Sequence, residues 1–145
     1  MILQKVYFHY KDRQLPLRHK KKIQKFISYL FKLEQTQLKR LDYIFCSDDF
    51  LLEINRNFLN HDYYTDIITF DLSDNVVTKK GEIYISVDRI RDNAETFHTP
   101  LTEEFLRVIF HGALHLCGFM DKTKKEIALM RAKENFYLTV YKSKR

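Results

Sequence analysis

The chain has 145 residues, of which 45% are apolar and 30% charged, and its formal net charge is +6. This length suits one domain with a packed core, and no apolar run approaches the roughly 18 residues of a membrane span. The first residues lack the pattern of a signal peptide, and two cysteines are too few for a disulfide framework. We therefore expect one domain over residues 1–145, a cytoplasmic location and no membrane partner.

The charge is unevenly distributed along the chain. Residues 1–40 contain 11 Lys and Arg against 2 acidic residues, residues 41–121 contain 6 against 15, and residues 122–145 contain 8 against 2. Basic ends suggest a nucleic-acid partner, and an acidic middle suggests a bound cation. Two solvated basic helices would give the same counts, so charge alone leaves both interpretations open.

The first part of the chain alternates predicted strands and helices. Residues 2–8 form a predicted strand, and apolar positions after Pro16 recur at helical spacing. Residues 41–46 form a second predicted strand, after which Ser47 or Asp48 caps a short helix. The apolar faces of these two helices consist of Ile23, Phe26, Ile27, Leu30 and Phe31, and of Leu51, Ile54 and Phe58.

Two further strands are predicted at residues 66–70 and 82–87. The stretch between them is polar, and Gly81 allows a turn just before the second of these strands. Asp88 is the predicted cap of a helix that runs to about residue 97.

The C-terminal part is predicted to form two more helices. Pro100 suits the first position of a helix, where its missing N–H has no partner to lose, and Gly118 suits the end of that helix. Thr123 and Glu126 have the spacing of a capping box for the last helix. Strands and helices mixed in this way predict an α/β (α+β) domain, with a mixed four-stranded sheet packed by about five helices.

His111 and His115 lie four residues apart on one predicted helix. This spacing places both imidazoles on one face, with about 5–6 Å between Cβ atoms, so both reach one metal ion. Gly118 lets the chain turn back, so that Asp121, on a short connector, approaches the histidines as an oxygen ligand. Two histidines, one carboxylate and an open fourth position are typical of a catalytic zinc site.

Other interpretations of these residues remain open. Two histidines at this spacing also occur as ordinary helix residues. Gly112 occupies the position of the glutamate base in HExxH metalloproteases, so that base is absent. Cys117 follows His115 by two positions, which directs it away from the histidine face, and we interpret it as a core residue.

Two acidic residues near the central strands are candidates for catalysis. Asp66 stands at the entry of an apolar strand, where it is suited to hydrogen-bond a ligand histidine or to position a water. A turn carboxylate that caps backbone N–H groups would give the same pattern. Glu82 opens the next strand, either as an edge carboxylate or as part of an acidic cleft.

Three blocks of sequence occur in order: residues 54–58 with 62–70, residues 81–83, and residues 111–119. They match in turn the patterns L-N-x-x-[YF] with D-x-P-T-D-V-L-S-F, G-D-I, and the first nine positions of H-G-x-L-H-L-x-G-[YF]-D-H. In these blocks the chain resembles the YbeY family of bacterial, metal-dependent rRNA-maturation endoribonucleases. The resemblance runs from about residue 54 to the C-terminal helix.

The resemblance implies a small α/β domain with one zinc ion per chain, held by three signature histidines. Two of them carry over to His111 and His115, whereas the third falls on Asp121 and the preceding family aspartate falls on Met120. The implied ligand set is two histidines and a carboxylate. The added negative charge should make the zinc a weaker Lewis acid than a three-histidine set does.

A second departure from the family concerns substrate phosphate. The family's phosphate-binding arginine falls on Leu59, so phosphate neutralisation either comes from other groups or is weaker than in the family. The basic segments 18–25 and 122–133 are expected to flank the cleft and hold the RNA backbone. The expected substrate-binding residues are His61, Lys122, Lys124 and Lys125.

The resemblance implies a single-strand-specific, zinc-dependent endoribonuclease that acts in maturation of the 16S rRNA 3′ end and in ribosome quality control. The zinc would polarise a phosphoryl oxygen or lower the pKa of bound water towards about 7, with Asp66 or Glu82 orienting that water. The implied partners are single-stranded or ribosomal RNA and the ribosome or its small subunit, and no small-molecule cofactor is expected. The alternatives are a ribosome assembly factor with a structural metal and a zinc hydrolase of peptides or amides.

Overall fold

A computed structural model describes residues 4–144, which form a four-stranded sheet and five helices. The strands are β1 (Val6–Tyr10), β2 (Gln37–Cys46), β3 (Ile67–Asp71) and β4 (Thr78–Ser86). The helices are α1 (Lys20–Leu33), α2 (Asp48–Leu59), α3 (Val87–Phe97), α4 (Leu101–Leu116) and α5 (Lys124–Ser143). Residues 2 and 3 of the first predicted strand lie outside the described residues.

The sheet has the strand order β1-β2-β4-β3. β1, β2 and β4 run parallel, and β3 pairs with β4 in the antiparallel direction. Parallel neighbours need a crossover, and α1 supplies it between β1 and β2. The mixed sheet and five helices confirm the α/β domain expected from the sequence. None of the helices in residues 4–144 has the length and apolar character needed to cross a membrane.

Successive side chains of β4 point to opposite faces of the sheet. Ile83 and Ile85 belong to the main core, whereas Tyr84 packs with Leu51 of α2 in a smaller cluster. Glu82 shares the face of Tyr84, whose hydroxyl donates to the Glu82 carboxylate at 3.2 Å. Because α4 contacts the sheet through Ile83, Glu82 lies on the face opposite to α4.

Helix α4 packs tightly on the sheet at Gly112. A Cβ atom at this position would lie 2.8 Å from Cδ1 of Ile83 and 3.0 Å from Cδ1 of Ile67. Glycine is therefore the residue that fits here without displacing core side chains. The glutamate of an HExxH motif has no room at this position, so packing explains why that base is absent.

The predicted turn at Gly81 is wrong. Gly81 lies within β4, where a Cβ atom would approach Cδ1 of Leu116 to 2.8 Å. The glycine therefore accommodates the end of α4. Both central strands also begin earlier than predicted, because residues 37–40 of β2 pair with residues 78–80 of β4.

Three predictions at helix ends and faces also need correction. Ser86, not Asp88, caps α3 with its side chain. Pro100 is the residue immediately before α4 rather than its first residue. Phe58 is 67% exposed, because the buried stripe of α2 passes through Asn55 and leaves Phe58 at the flank.

Candidate metal centre

His111 and His115 occupy successive turns near the C-terminal end of α4. Their Nε2 atoms lie 3.0 Å apart, and their rings meet edge to face with centroids 4.6 Å apart. The two side chains are 20% and 25% exposed, so both remain accessible from the surface. The helical spacing therefore brings the two Nε2 atoms close enough to bind one metal ion.

The turn after α4 brings Asp121 to the two histidines. Gly118 has a φ of 103° and donates its amide to the carbonyl of His115, which ends the helix and reverses the chain. The capping box of Thr123 then starts α5, so Asp121 lies on a short connector. Oδ2 of Asp121 lies 3.2 Å from Nε2 of His111 and 3.3 Å from Nε2 of His115.

The spacing of these three atoms fits a tetrahedral metal ion. Bonds of about 2.05 Å at tetrahedral angles place neighbouring ligand atoms about 3.3 Å apart. The three distances here are 3.0, 3.2 and 3.3 Å. Two imidazole nitrogens and one carboxylate oxygen leave a fourth position free, as catalytic zinc sites do.

Glu134 of α5 contacts the ring nitrogen of His111 that does not face Asp121. One carboxylate oxygen lies 2.6 Å from Nδ1 of His111, and the other accepts a hydrogen bond from Arg107 at 2.9 Å. Glu134 is only 5% exposed, and these two partners compensate its buried charge. A hydrogen bond at Nδ1 leaves the lone pair of Nε2 facing Asp121, which is the tautomer that a metal requires.

Burial and charge act in opposite directions on this pair. Burial lowers the pKa of His111, but the hydrogen bond and the charge of Glu134 outweigh it, and the pKa lies above the ordinary histidine value. Burial raises the pKa of Glu134, but the hydrogen bonds from His111 and Arg107 outweigh it, and the pKa lies below the ordinary glutamate value. The lowered pKa of Glu134 means that the folded chain favours its ionised carboxylate beside His111.

The candidate ligands lie in a cleft with a volume of about 950 Å³. Its acidic lining residues are Asp66, Asp71, Glu104, Asp121 and Glu134. Its basic lining residues are Arg107, Lys122 and Arg131. With five carboxylates against three cations, the cleft carries a net charge of −2 with its histidines neutral. A divalent cation would bring that charge to zero.

Asp66 lines the cleft, whereas Glu82 does not reach it. Burial raises the pKa of Asp66 above the ordinary aspartate value, and hydrogen bonds from backbone amides offset this only in part. Glu82 points to the opposite face of the sheet, towards Tyr84. The structure therefore brings one of the two predicted catalytic carboxylates to the candidate metal centre.

Two of the four expected substrate-binding residues also reach the cleft, and two do not. His61 and Lys122 line the cleft, and Lys124 and Lys125 do not. The expectation that segment 18–25 flanks the cleft is wrong. α1 packs on β1 and β2, and its lysines line a different groove.

Arg107 and Glu134 are cleft residues that the sequence patterns did not single out. Arg107 precedes His111 by four residues, so helical spacing aligns it with both histidines, a signal that was present in the sequence. Glu134 lies on α5, and only the packing of α5 on α4 brings it to the cleft, so no local pattern marks it. Lys122 and Arg131, both from the basic segment 122–133, line the cleft as that segment was expected to.

Comparison with known proteins identifies the family. Residues 5–142 match the family model described as "Endoribonuclease YbeY". The chain belongs to the endoribonuclease YbeY family. Its relatives of that name include a protein from Cytophaga hutchinsonii, 47% identical over 94% of this chain and 96% of the relative. Another, from Parabacteroides distasonis, is 45% identical over 92% of this chain and 93% of the relative.

A solved structure has a similar fold. The solution structure of TM1509 from Thermotoga maritima gives a TM-score of 0.62 and covers 95% of this chain and 92% of that chain, at 24% sequence identity. This likeness concerns the fold alone. The YbeY membership rests on the family model and the relatives, and the structure adds that Asp121 joins His111 and His115 at the third signature position.

Proposed function

We propose that this chain is a zinc-dependent endoribonuclease that hydrolyses phosphodiester bonds of single-stranded RNA. The observation that carries this proposal is the convergence of His111, His115 and Asp121 in a cleft of a YbeY-family chain. Two nitrogen ligands and one carboxylate favour zinc over magnesium, which prefers oxygen ligands alone. When bound, the zinc would polarise a phosphoryl oxygen and lower the pKa of a bound water.

The contacts behind the ligands support a preorganised centre. Arg107 forms an ion pair with Glu134, and Glu134 accepts a hydrogen bond from Nδ1 of His111. The imidazole therefore cannot rotate or change tautomer without losing its hydrogen bond to this buried carboxylate. Such partners of ligand histidines fix the ligand geometry and increase its affinity for the metal. The chain thus supplies the orientation on which hydrolysis depends.

Asp66 is our candidate for orienting the attacking water and accepting its proton. It lines the cleft, and its raised pKa makes the carboxylate a stronger base than an exposed aspartate. Gly112 offers no alternative base, because its position faces the sheet. In HExxH enzymes the base is a glutamate on the ligand helix. Here Asp66, immediately before β3, would take that role.

Phosphate charge needs partners at the mouth of the cleft. Arg131 is 62% exposed there and Lys122 is also exposed, so both are placed to contact a phosphate. Leu59 contributes an apolar wall at the position of the family's arginine. His61 stacks on Tyr63 beside it and adds a planar surface suited to a base.

Ribosomal RNA as substrate, action at the 16S rRNA 3′ end and association with the small subunit in the cytoplasm are proposed from the family resemblance. The cleft itself supports only the coarser class, a short single-stranded segment of RNA. A duplex would have to separate its strands to bring one phosphodiester to a centre held within a cleft of this size.

RNA cleavage by the purified full chain tests the proposal. We expect cleavage of single-stranded RNA, little cleavage of duplex RNA, and loss of activity with a chelator that returning zinc restores. His115→Ala should abolish cleavage. His9→Ala should not, although His9 is likewise hydrogen-bonded to a carboxylate, that of Asp42.

Two results would refute the proposal. Cleavage of unstructured peptides with no effect on RNA would indicate a peptidase. Unfolding of the chain by the chelator, without any RNA cleavage beforehand, would indicate a structural metal in an assembly factor.

A further inference from the structure

A second groove lies between α1 and the end of α5, outside the cleft of the candidate metal centre. It has a volume of about 480 Å³ and is lined by Lys22, Lys25, Phe26, Tyr29 and Lys144. Its lining contains three cations, two aromatic rings and no acidic residue. We call it the lysine groove.

Among the described residues, the partners of the groove lysines are backbone and aromatic groups rather than carboxylates. Lys22 donates to the backbone carbonyl of Lys144 at 2.9 Å and lies 4.4 Å from the ring centre of Tyr141. The ammonium of Lys144 lies 4.1 Å from the ring centre of Tyr29. Within residues 4–144, none of the three groove lysines forms an ion pair with a carboxylate. Their charges therefore remain available to an anion.

One groove lysine, Lys22, lies in the first turn of α1, where its charge does not stabilise the helix. α1 begins with three consecutive lysines, has no acidic residue in its first turn and has no side-chain cap at His19. Positive charge at a helix N-terminus opposes the helix dipole, typically by about 0.3–1 kcal/mol per group. The position of Lys22 is thus better explained by an external anion than by the stability of α1.

The charge of the main cleft indicates which anion. The cleft carries a net charge of −2 without a metal and zero with a divalent cation, so beyond the local contacts of Lys122 and Arg131 it provides no net attraction for a polyanion. A chain that acts on RNA must obtain that attraction elsewhere, because phosphate neutralisation supplies most of the sequence-independent affinity for nucleic acid. The lysine groove supplies three cations beside the half-buried ring of Tyr29, and cations next to an aromatic ring are a combination that binds single strands.

We propose that the lysine groove binds the backbone of single-stranded RNA at a segment away from the bond that is cleaved. Lys22, Lys25 and Lys144 contact phosphates, and Tyr29 offers a ring for stacking. This inference rests on the proposed function and adds to it a second contact with the same substrate. Long RNA would engage both sites, whereas an RNA that only fills the cleft would engage one.

The test compares two single-stranded RNAs, one of about 30 nucleotides and one of about three nucleotides that occupies the cleft alone. The groove variant combines Lys22→Gln, Lys25→Gln and Lys144→Gln. We expect its kcat/KM for the long RNA to fall at least about 10-fold, mainly through KM, with no change for the short RNA. The slope of log affinity against log salt for the long RNA should decrease by about 2, since each phosphate contact contributes about 0.7.

A control variant removes the same charge elsewhere. Lys5, Lys39 and Lys80 are exposed, line neither cleft nor groove, and form no ion pair within the described residues. Lys5→Gln, Lys39→Gln and Lys80→Gln together should leave the long RNA unaffected. Lys25→Glu alone should weaken long-RNA cleavage without disturbing the fold, because the Lys25 side chain has no hydrogen bond in residues 4–144.

Each alternative outcome is distinguishable. An inactive wild-type chain would refute the proposed function and this inference together. An active wild type whose groove variant retains the long-RNA preference would refute the inference alone, and so would an equal loss in the control variant. Retained RNA cleavage with lost binding to polyglutamate would assign the groove to an acidic protein instead.

Discussion

At His111, the two ring nitrogens have separate partners. Nε2 faces His115 and Asp121, and Nδ1 faces Glu134, which Arg107 holds in turn. A ligand that is fixed at one nitrogen before the metal arrives loses little freedom on binding. Glu134 would therefore act on a bound metal through His111, as a positioning residue.

Glu134→Gln should lower the affinity for zinc about 10- to 100-fold, because the amide is a weaker acceptor and loses the ion pair with Arg107. The measurement is competition with a chromophoric chelator, which does not depend on RNA cleavage. Glu53→Gln, an exposed change on α2, is the control and should leave the affinity unchanged. Unchanged zinc affinity in Glu134→Gln would contradict the positioning role.

Asp66→Asn should lower kcat for RNA cleavage about 10²- to 10⁴-fold while zinc content stays at one per chain. The matched control is Glu82→Gln, the other carboxylate that the sequence suggested, because Glu82 lies on the far side of the sheet. We expect its kcat to match wild type. Equal losses in the two variants would remove Asp66 from the role of base.

The sequence predicted the candidate metal ligands but not the residues that hold those ligands in place. Spacing predicted His111 and His115, and Gly118 predicted the turn that returns Asp121, because all of these relations are local. Glu134 is 23 residues from His111, and only the packing of α5 on α4 joins them. No pattern of residue types encodes that register, so the carboxylate behind the ligand was missed.

At the scale of elements, the packing of α4 on the sheet fixes where the histidines point. Gly112→Ala places a methyl group 2.8 Å from Cδ1 of Ile83, and we expect it to lower the free energy of unfolding by about 1–3 kcal/mol. Ile83→Val removes that Cδ1 atom, so the double variant should lose less stability than the sum of the two single variants. Denaturant unfolding measures all three, and strict additivity would contradict the contact.

The starts of α2 and α3 are joined by Asp88. Its carboxylate accepts the backbone amide of Asp48 at 2.9 Å and a hydrogen bond from Arg13 at 2.9 Å. Partial burial raises the pKa of Asp88, but these hydrogen bonds and the charge of Arg13 outweigh it and hold the pKa below its ordinary value. The folded state therefore favours the ionised carboxylate.

The lowered pKa of Asp88 makes the free energy of unfolding depend on pH. The contribution of Asp88 is complete above the pKa of an unfolded aspartate, about 3.9, and is lost as the pH falls through the lower pKa of the folded state. Asp88→Asn should therefore reduce the slope of unfolding free energy against pH below about 4. Asp92→Asn, an exposed change on the same helix, should keep the wild-type slope. Equal slopes in all three proteins would contradict the assigned cause.

Element types were predictable, and several of their ends were not. Alternation and helical spacing predicted four strands and five helices. The polar residues 37–40 and 78–80 join the strands because they pair with each other across the sheet, a contact between distant segments. Gly81 was interpreted as a turn residue because its close neighbour, Leu116 of α4, is also distant in sequence.

For the whole molecule, the net charge of +6 separates into distinct surfaces. The cleft is acidic enough to hold a cation, while the lysines of α1 lie at a groove of their own. The sequence showed this division along the chain. It did not show that the basic N-terminal segment and the cleft face different parts of the surface, because that depends on α1 packing against β1 and β2.

The central claim is that Asp121 completes a catalytic metal centre with His111 and His115. Zinc content and RNA cleavage, measured together on wild type, Asp121→Ala and Asp121→His, test it most directly. We predict one zinc and active cleavage in wild type, both retained in Asp121→His, and a folded Asp121→Ala with less than one zinc per chain and no cleavage. An Asp121→Ala protein that keeps full zinc and cleaves RNA, or one that unfolds, would contradict the claim.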